Sequence, residues 1–237
     1  MSSTAPLQQR QASQALMVAI VATLALYWLP YVNVLSWPLL LLSTLMHELG
    51  HGLTAMLLGG KFQAMTMWAD GSGVASHRGN FGAFARATVS AGGLIGPPLA
   101  ALGLFLAGRR SRSAHAALAL FSVFLLLVTL LWASGAFTVL FCLALATLLA
   151  LLAWKASPAV SQIVCVFLAV QLALSSFSRS DYLFTAVAQT GSGSMPSDVG
   201  QIAEALWLPY WFWGGLIAAL SLAILGYGAW RFARSLG

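Results

Sequence analysis

Met46-His47-Glu48-Leu49-Gly50-His51-Gly52 stands inside an apolar run that begins at Pro38 and ends near Leu58. Residues four apart share a helical face, so His47 and His51 present two imidazoles to one point. Glu48, three residues before His51, can reach a water held there. In a chain of 237 residues with 4 His and 5 acids, chance yields a His-acid-x-x-His about once in a thousand such chains. Each ionisable group at the centre of a spanning helix costs on the order of 2.5–3.5 kcal/mol. Three of them within a turn and a half need a compensating role, and a shared metal ion accounts for them better than a hydrogen-bonded packing cluster or a proton relay.

The surroundings place that motif in lipid. Hydrophobic residues make up 60% of the chain, charged residues 7%, and the mean hydropathy is +0.88. A soluble domain carries roughly a quarter charged residues. The composition therefore describes an all-α polytopic membrane protein, one bundle surrounded by the lipid bilayer. The net charge of +6 comes from Arg and Lys in short connections, where membrane proteins keep them, so nucleic acid is excluded as a partner. Cys142 and Cys165 lie in apolar runs with no CxxC spacing and read as small buried hydrophobes.

Taken in order, residues 1–13 are a polar, disordered N-terminal lead-in, and residues 14–237 form a single transmembrane domain. The first span is Ala15 to Val34, retained rather than cleaved because no small-x-small site follows it. The second, Pro38 to Leu58, carries the motif. Within residues 59–80, Lys61 to Trp68 alternates like a strand, Asp70-Gly71 signals a tight turn, and Gly73 to His77 can return, which predicts a β-hairpin. The third span, about Ala83 to Leu106, holds Gly92, Gly93, Gly96, Pro97 and Pro98. These allow either close helix packing or an irregular segment beside the motif helix. Further spans are expected at Ala114–Ala133, Ala136–Trp154 and Pro158–Phe177. Residues 178–200 read as a loop, and Asp198-Val199-Gly200-Gln201 as a capping box opening one last helix through Trp230. The expected total is about seven transmembrane helices. Alternating sides put Arg10 with Lys61, Arg78, Arg86 and Arg179, opposite Arg109, Arg110, Arg112, Lys155, Arg231 and Arg234, which leaves orientation open.

A catalytic zinc takes three protein ligands and keeps one position for water. Beyond His47 and His51, the candidates are His77, His115, Asp70, Asp181, Asp198 and Glu204. His115 belongs to the opposite face, Asp70 is explained by its turn, Asp198 by helix capping, and Glu204 by a helix surfacing. Asp181, just past the sixth span on the face where the second span ends, fits the motif's depth best. Asp198 and Asp70 remain the alternatives.

The motif, its membrane setting, the hairpin after it and Gly92-Gly93-Leu94-Ile95-Gly96-Pro97 together resemble the site-2 protease family of intramembrane zinc metalloproteases, in its small branch without a PDZ domain. The resemblance implies Zn²⁺ held by His47, His51 and a later Asp, with Glu48 as general base. It also implies a transmembrane protein as substrate and a multi-pass location in the bacterial inner (plasma) membrane. The family's Asp usually sits in Asn-Pro-x-x-Asp-Gly or Leu-Asp-Gly, whereas Asp181 stands in Arg179-Ser180-Asp181-Tyr182 and the only Asp-Gly is Asp70-Gly71. Two other classes share some of these features. A prenyl-protein type of membrane endopeptidase would use a downstream Glu, for which Glu204 is the one candidate. A non-enzymatic transporter or an inactive, partner-binding relative would need more polar residues along a path than the spans contain.

Overall fold

The structure, a computed structural model, describes residues 5–28, 34, 36–178 and 180–236. Among the described residues, eight helices and two short hairpins follow one another: α1 (Ala5–Trp28), α2 (Ser36–Leu57), β1 (Lys61–Met67), β2 (Gly73–Arg78), α3 (Ala83–Gly108), α4 (Ser111–Leu131), α5 (Ala136–Lys155), α6 (Pro158–Ser178), a 3-10 turn (Ser180–Phe184), β3 (Val187–Thr190), β4 (Gly193–Pro196), α7 (Asp198–Leu206) and α8 (Tyr210–Ala233). Among the described residues, five helices are long and apolar enough to cross a membrane: α3, α4, α5, α6 and α8. α1 and the motif helix α2 fall outside that set, and the expected count of seven is not confirmed. The helices turn large apolar side chains outward, Leu130 of α4 at 81% exposure and Leu140 of α5 at 66%. A hydrocarbon surround suits that arrangement, since water would penalise so much exposed apolar surface.

The core explains the arrangement. α3 is the central post, packed on α2, α6, α7 and α8. Its Gly92, Gly93 and Gly96 face α2 with no side chain between the backbones: a β-carbon built on Gly96 would collide with the Met46 carbonyl, and one on Gly92 with Thr54. Small residues at the crossing let two helices approach closely enough for dispersion to hold them. The packing role of the glycine-rich stretch is therefore the one realised. α3 runs on as helix through Pro97 and Pro98, both buried, and no irregular segment interrupts it.

Four expectations are corrected. α1 begins at Ala5, inside the polar stretch taken as a disordered lead-in, and its Ala12 and Ala15 are buried in the core. Gln9 of α1 donates to the Leu236 carbonyl. That contact puts the start of α1, with Arg10, at the same end of the bundle as the end of α8, with Arg231 and Arg234, instead of at the opposite end. The loop 178–200 contains the 3-10 turn and the antiparallel pair β3–β4, with Val187 opposite Pro196 and Thr190 opposite Gly193. The final helix is two: α7 ends at Leu206, Trp207 takes a left-handed backbone at φ 67°, and α8 starts after Pro209. Proline has no N–H to continue a helix and pushes the residue before it out of the α region.

The hairpin after α2 forms where the alternation predicts it, with Lys61 opposite Arg78, Met67 opposite Gly73 and a bulge between Phe62 and Ala64. It lies back along α2: Thr44 Oγ1 donates to the Gly71 carbonyl at 2.6 Å and Trp37 Nε1 to the Ala69 carbonyl at 2.7 Å. The outer edge of β1 is taken by the α4–α5 connection, through Met65 N to Trp132 O at 2.7 Å and Ser134 N to Met65 O at 2.8 Å. The edge of β2 away from β1 has no strand partner among the described residues.

Candidate metal centre

α2 carries His47 and His51 one turn apart, and α7 brings Asp198 to meet them. His47 Nε2 lies 3.0 Å from Asp198 Oδ2, His51 Nε2 3.2 Å from Asp198 Oδ1, and the two Nε2 atoms are 3.1 Å apart. All three side chains are largely withdrawn from the surface, Asp198 most of all at 5% exposure. His51 Nδ1 donates to the Val89 carbonyl of α3 at 2.9 Å. That bond places the ring proton on Nδ1 and turns the Nε2 lone pair to the centre, as the outer partners of metal-bound imidazoles do.

The donor set fits a metal ion. Zinc bound to imidazole nitrogen and carboxylate oxygen at about 2.0–2.1 Å in a tetrahedron separates its ligand atoms by roughly 3.3 Å. The observed triangle of 3.0, 3.1 and 3.2 Å has nearly those edges. Among the described residues, His47, His51 and Asp198 form the group able to hold a metal. Glu48, 4% exposed, stands beside it on α2, with Gly73 of β2 so close that a β-carbon there would fall 2.7 Å from Glu48 Oε1.

Asp198 reaches the imidazoles because Ser197, not Asp198, caps α7. Ser197 Oγ accepts the Gly200 N–H at 3.1 Å and donates to the Thr185 carbonyl, while Ser197 N bonds the Ala186 carbonyl at 2.9 Å. Asp198 is thereby the first helical residue and its carboxylate is spared for other partners. Val199, Ile202 and Ala205 pack α7 on Ala87 and Leu94 of α3. The sequence signal is Ser197, one residue before the Asp198–Gln201 capping box.

The other candidates are placed as follows. Asp181 belongs by backbone to the 3-10 turn, and its side chain lies outside the described residues. Asp70 accepts from Ser72 N at 2.8 Å and Ser72 Oγ at 2.7 Å, bonds that hold its carboxyl below the ordinary range. Glu204 is exposed on α7. His115 bonds Ser161 Oγ at 3.0 Å between α4 and α6. His77 lines the cleft but stands outside the His-His-Asp group, and burial pushes its imidazole below the usual value. Neither the Val89 carbonyl nor Tyr182, whose hydroxyl donates to Asp198 Oδ2 at 3.3 Å, carried any signal in the sequence.

The centre opens into a cleft of about 200 Å³ with β2 on one side and β3–β4 on the other. The two hairpin tips meet over it: Gly191 N donates to Ser72 Oγ at 3.0 Å, and Gly191 sits against the Trp68 ring. Hydroxyl groups of Ser43, Thr44, Ser175 and Ser176 line the floor and keep it polar.

A His-Glu-x-x-His helix joined by a carboxylate from a distant helix, within an apolar bundle, defines the class: a helical membrane protein with a centre suited to a divalent metal. A family model described as Peptidase M50B-like matches residues 17–228, and the chain belongs to that family, within the site-2 proteases; no PDZ domain is found in it. Comparison with curated proteins and with solved structures gave no match. Family membership points to an intramembrane metallopeptidase of a zinc-dependent kind and to an integral membrane protein.

Proposed function

We propose that this protein is an intramembrane zinc metalloprotease that hydrolyses peptide bonds of transmembrane protein substrates in the bacterial inner membrane, with His47, His51 and Asp198 as ligands and Glu48 as general base. The observation that carries the reading is the triangle of ligand atoms at 3.0–3.2 Å beside a buried glutamate. Bound there, Zn²⁺ would act as a Lewis acid, polarising a water and the scissile carbonyl. Asp198 balances charge that two neutral imidazoles cannot. Glu48 accepts the proton of the attacking water and delivers it to the leaving amine, a task suited to a carboxylate held next to the ligands and away from bulk water.

The substrate enters as an extended segment, because helical carbonyls are already hydrogen-bonded. The unpartnered edge of β2 offers backbone groups for such a segment by strand addition, running past Gly73 next to Glu48. The serine and threonine floor solvates the unwound backbone and admits the water that hydrolysis consumes.

The test pairs metal content with cleavage. Purified wild type should hold one zinc and cut a single-span substrate in proteoliposomes, whereas Glu48→Gln should keep the zinc and cut nothing. A Glu48→Gln protein that still cleaves removes Glu48 from the base role; a zinc-loaded wild type that cuts no single-span protein makes this a metal-binding relative without protease activity.

A further inference from the structure

We propose that Tyr182 is a positioning residue of the metal centre, its hydroxyl holding the Asp198 carboxylate in place across the two imidazoles. The inference rests on the ligand set of the proposed function and adds a member to its supporting shell. Tyr182 Oη donates to Asp198 Oδ2 at 3.3 Å, and that same oxygen lies 3.0 Å from His47 Nε2. The phenol ring meets the His47 ring edge-on, centroids 6.1 Å apart at 82°. One side chain thus touches a carboxylate ligand and an imidazole ligand together.

Its origin in the fold strengthens the case. His47 and His51 come from α2 and Asp198 from α7, and Tyr182 comes from a third element, the 3-10 turn. That turn is fastened independently: Leu183 is buried with Val199, Ile202 and Ile217, and its carbonyl abuts Gly214 of α8. The torsion that turns an Asp carboxylate is broad and roughly two-fold, so the side chain alone does not fix how the carboxylate plane lies across the two imidazoles. A neutral phenol donor on one oxygen holds that plane, and a phenol adds no charge that would compete with a cation. Outer partners of ligating side chains typically contribute 10- to 100-fold to metal affinity.

The experiment measures zinc affinity by competition with a chromophoric chelator, using the full chain in detergent, for wild type, Tyr182→Phe and, as a control, Tyr210→Phe. Phenylalanine keeps the ring and removes only the donor. The expected result is a 10- to 100-fold weaker Kd for Tyr182→Phe, no change for Tyr210→Phe, and the same melting temperature for all three apo proteins. Cobalt(II) loading supplies a spectroscopic check, since a carboxylate freed from its donor shifts the visible bands of the bound ion. Zinc binding by Tyr182→Phe within two-fold of wild type, with unshifted cobalt bands, overturns this inference and leaves the proposed function standing. A wild type that binds no zinc defeats both. A lower apo melting temperature together with unchanged affinity reveals a purely structural tyrosine and also overturns it.

Discussion

Gly93 of α3 lies directly under the His51 ring of α2: a β-carbon built on Gly93 would overlap Nε2, Cε1 and Cδ2 of that imidazole. The absence of a side chain at one position of a neighbouring helix therefore sets where the His51 imidazole can stand. Gly93→Ala should displace His51 from Asp198, abolish stoichiometric zinc and, by overpacking, destabilise the fold by about 1–3 kcal/mol. Gly103→Ala on the same helix has open space around it and should do neither. Zinc analysis and thermal unfolding of the two variants make the comparison.

Asp198 and Asp181 are separable by a single amide substitution each. Asp198→Asn should lose zinc, because an amide oxygen brings no charge to balance the ion. Asp181→Asn should retain it. Metal stoichiometry after gel filtration reads both, and zinc retained in Asp198→Asn but lost in Asp181→Asn would hand the third position to Asp181.

Ser197 frees Asp198 by capping α7 itself. Ser197→Ala should cost about 1 kcal/mol of stability and also weaken zinc binding, since the neighbouring carboxylate is then drawn to the exposed helix N–H groups. Ser197→Asn, a good cap, should restore both. Chemical denaturation paired with zinc titration checks this, and a stability loss with unaltered affinity would show that cap and ligand are independent.

The meeting of Gly191 with Ser72 and Trp68 covers the cleft. Gly191→Val would drive a side chain into the Trp68 ring and part the hairpin tips. A cysteine placed at Ser176 on the cleft wall should then react faster with a polar maleimide than in the parent, while Cys142 and Cys165, both fully buried, stay silent. The same rate should rise with acid. Asp70 is held below its ordinary range by Ser72, so its grip on the clasp is complete above the ordinary Asp value and is lost as pH falls through the lowered one. An unchanged labelling rate in Gly191→Val would mean that the tips do not limit entry.

Much of this was legible in the residues. The 3.6-residue period put His47 and His51 on one face, and the alternation from Lys61 with Asp70-Gly71 after it marked the hairpin to within a residue. What escaped was the meeting of Asp198 with the two imidazoles. Depth favours Asp181 and helix capping accounts for Asp198 when residues 178–230 form one loop and one helix. The actual chain puts a 3-10 turn and β3–β4 there and breaks the helix at Trp207–Pro209, which lets α7 lie against α3. None of that has a strong periodicity, since the strands are four residues each and α7 is nine.

By itself, then, the sequence determined what is local: which stretches are apolar enough for lipid, where two imidazoles share a helical face, and where the chain turns back. Those depend on spacing within a few residues and on transfer free energies that sum along the chain. Only the tertiary structure decided that Asp198 meets His47 and His51, that His51 Nδ1 bonds the Val89 carbonyl and that the Tyr182 hydroxyl reaches the Asp198 carboxylate. These contacts join residues 16 to 151 positions apart, brought together because glycines on α3 let α2 approach and because α7 packs beside them. Such pairings follow from how whole helices fit, and no short window of residues contains that information.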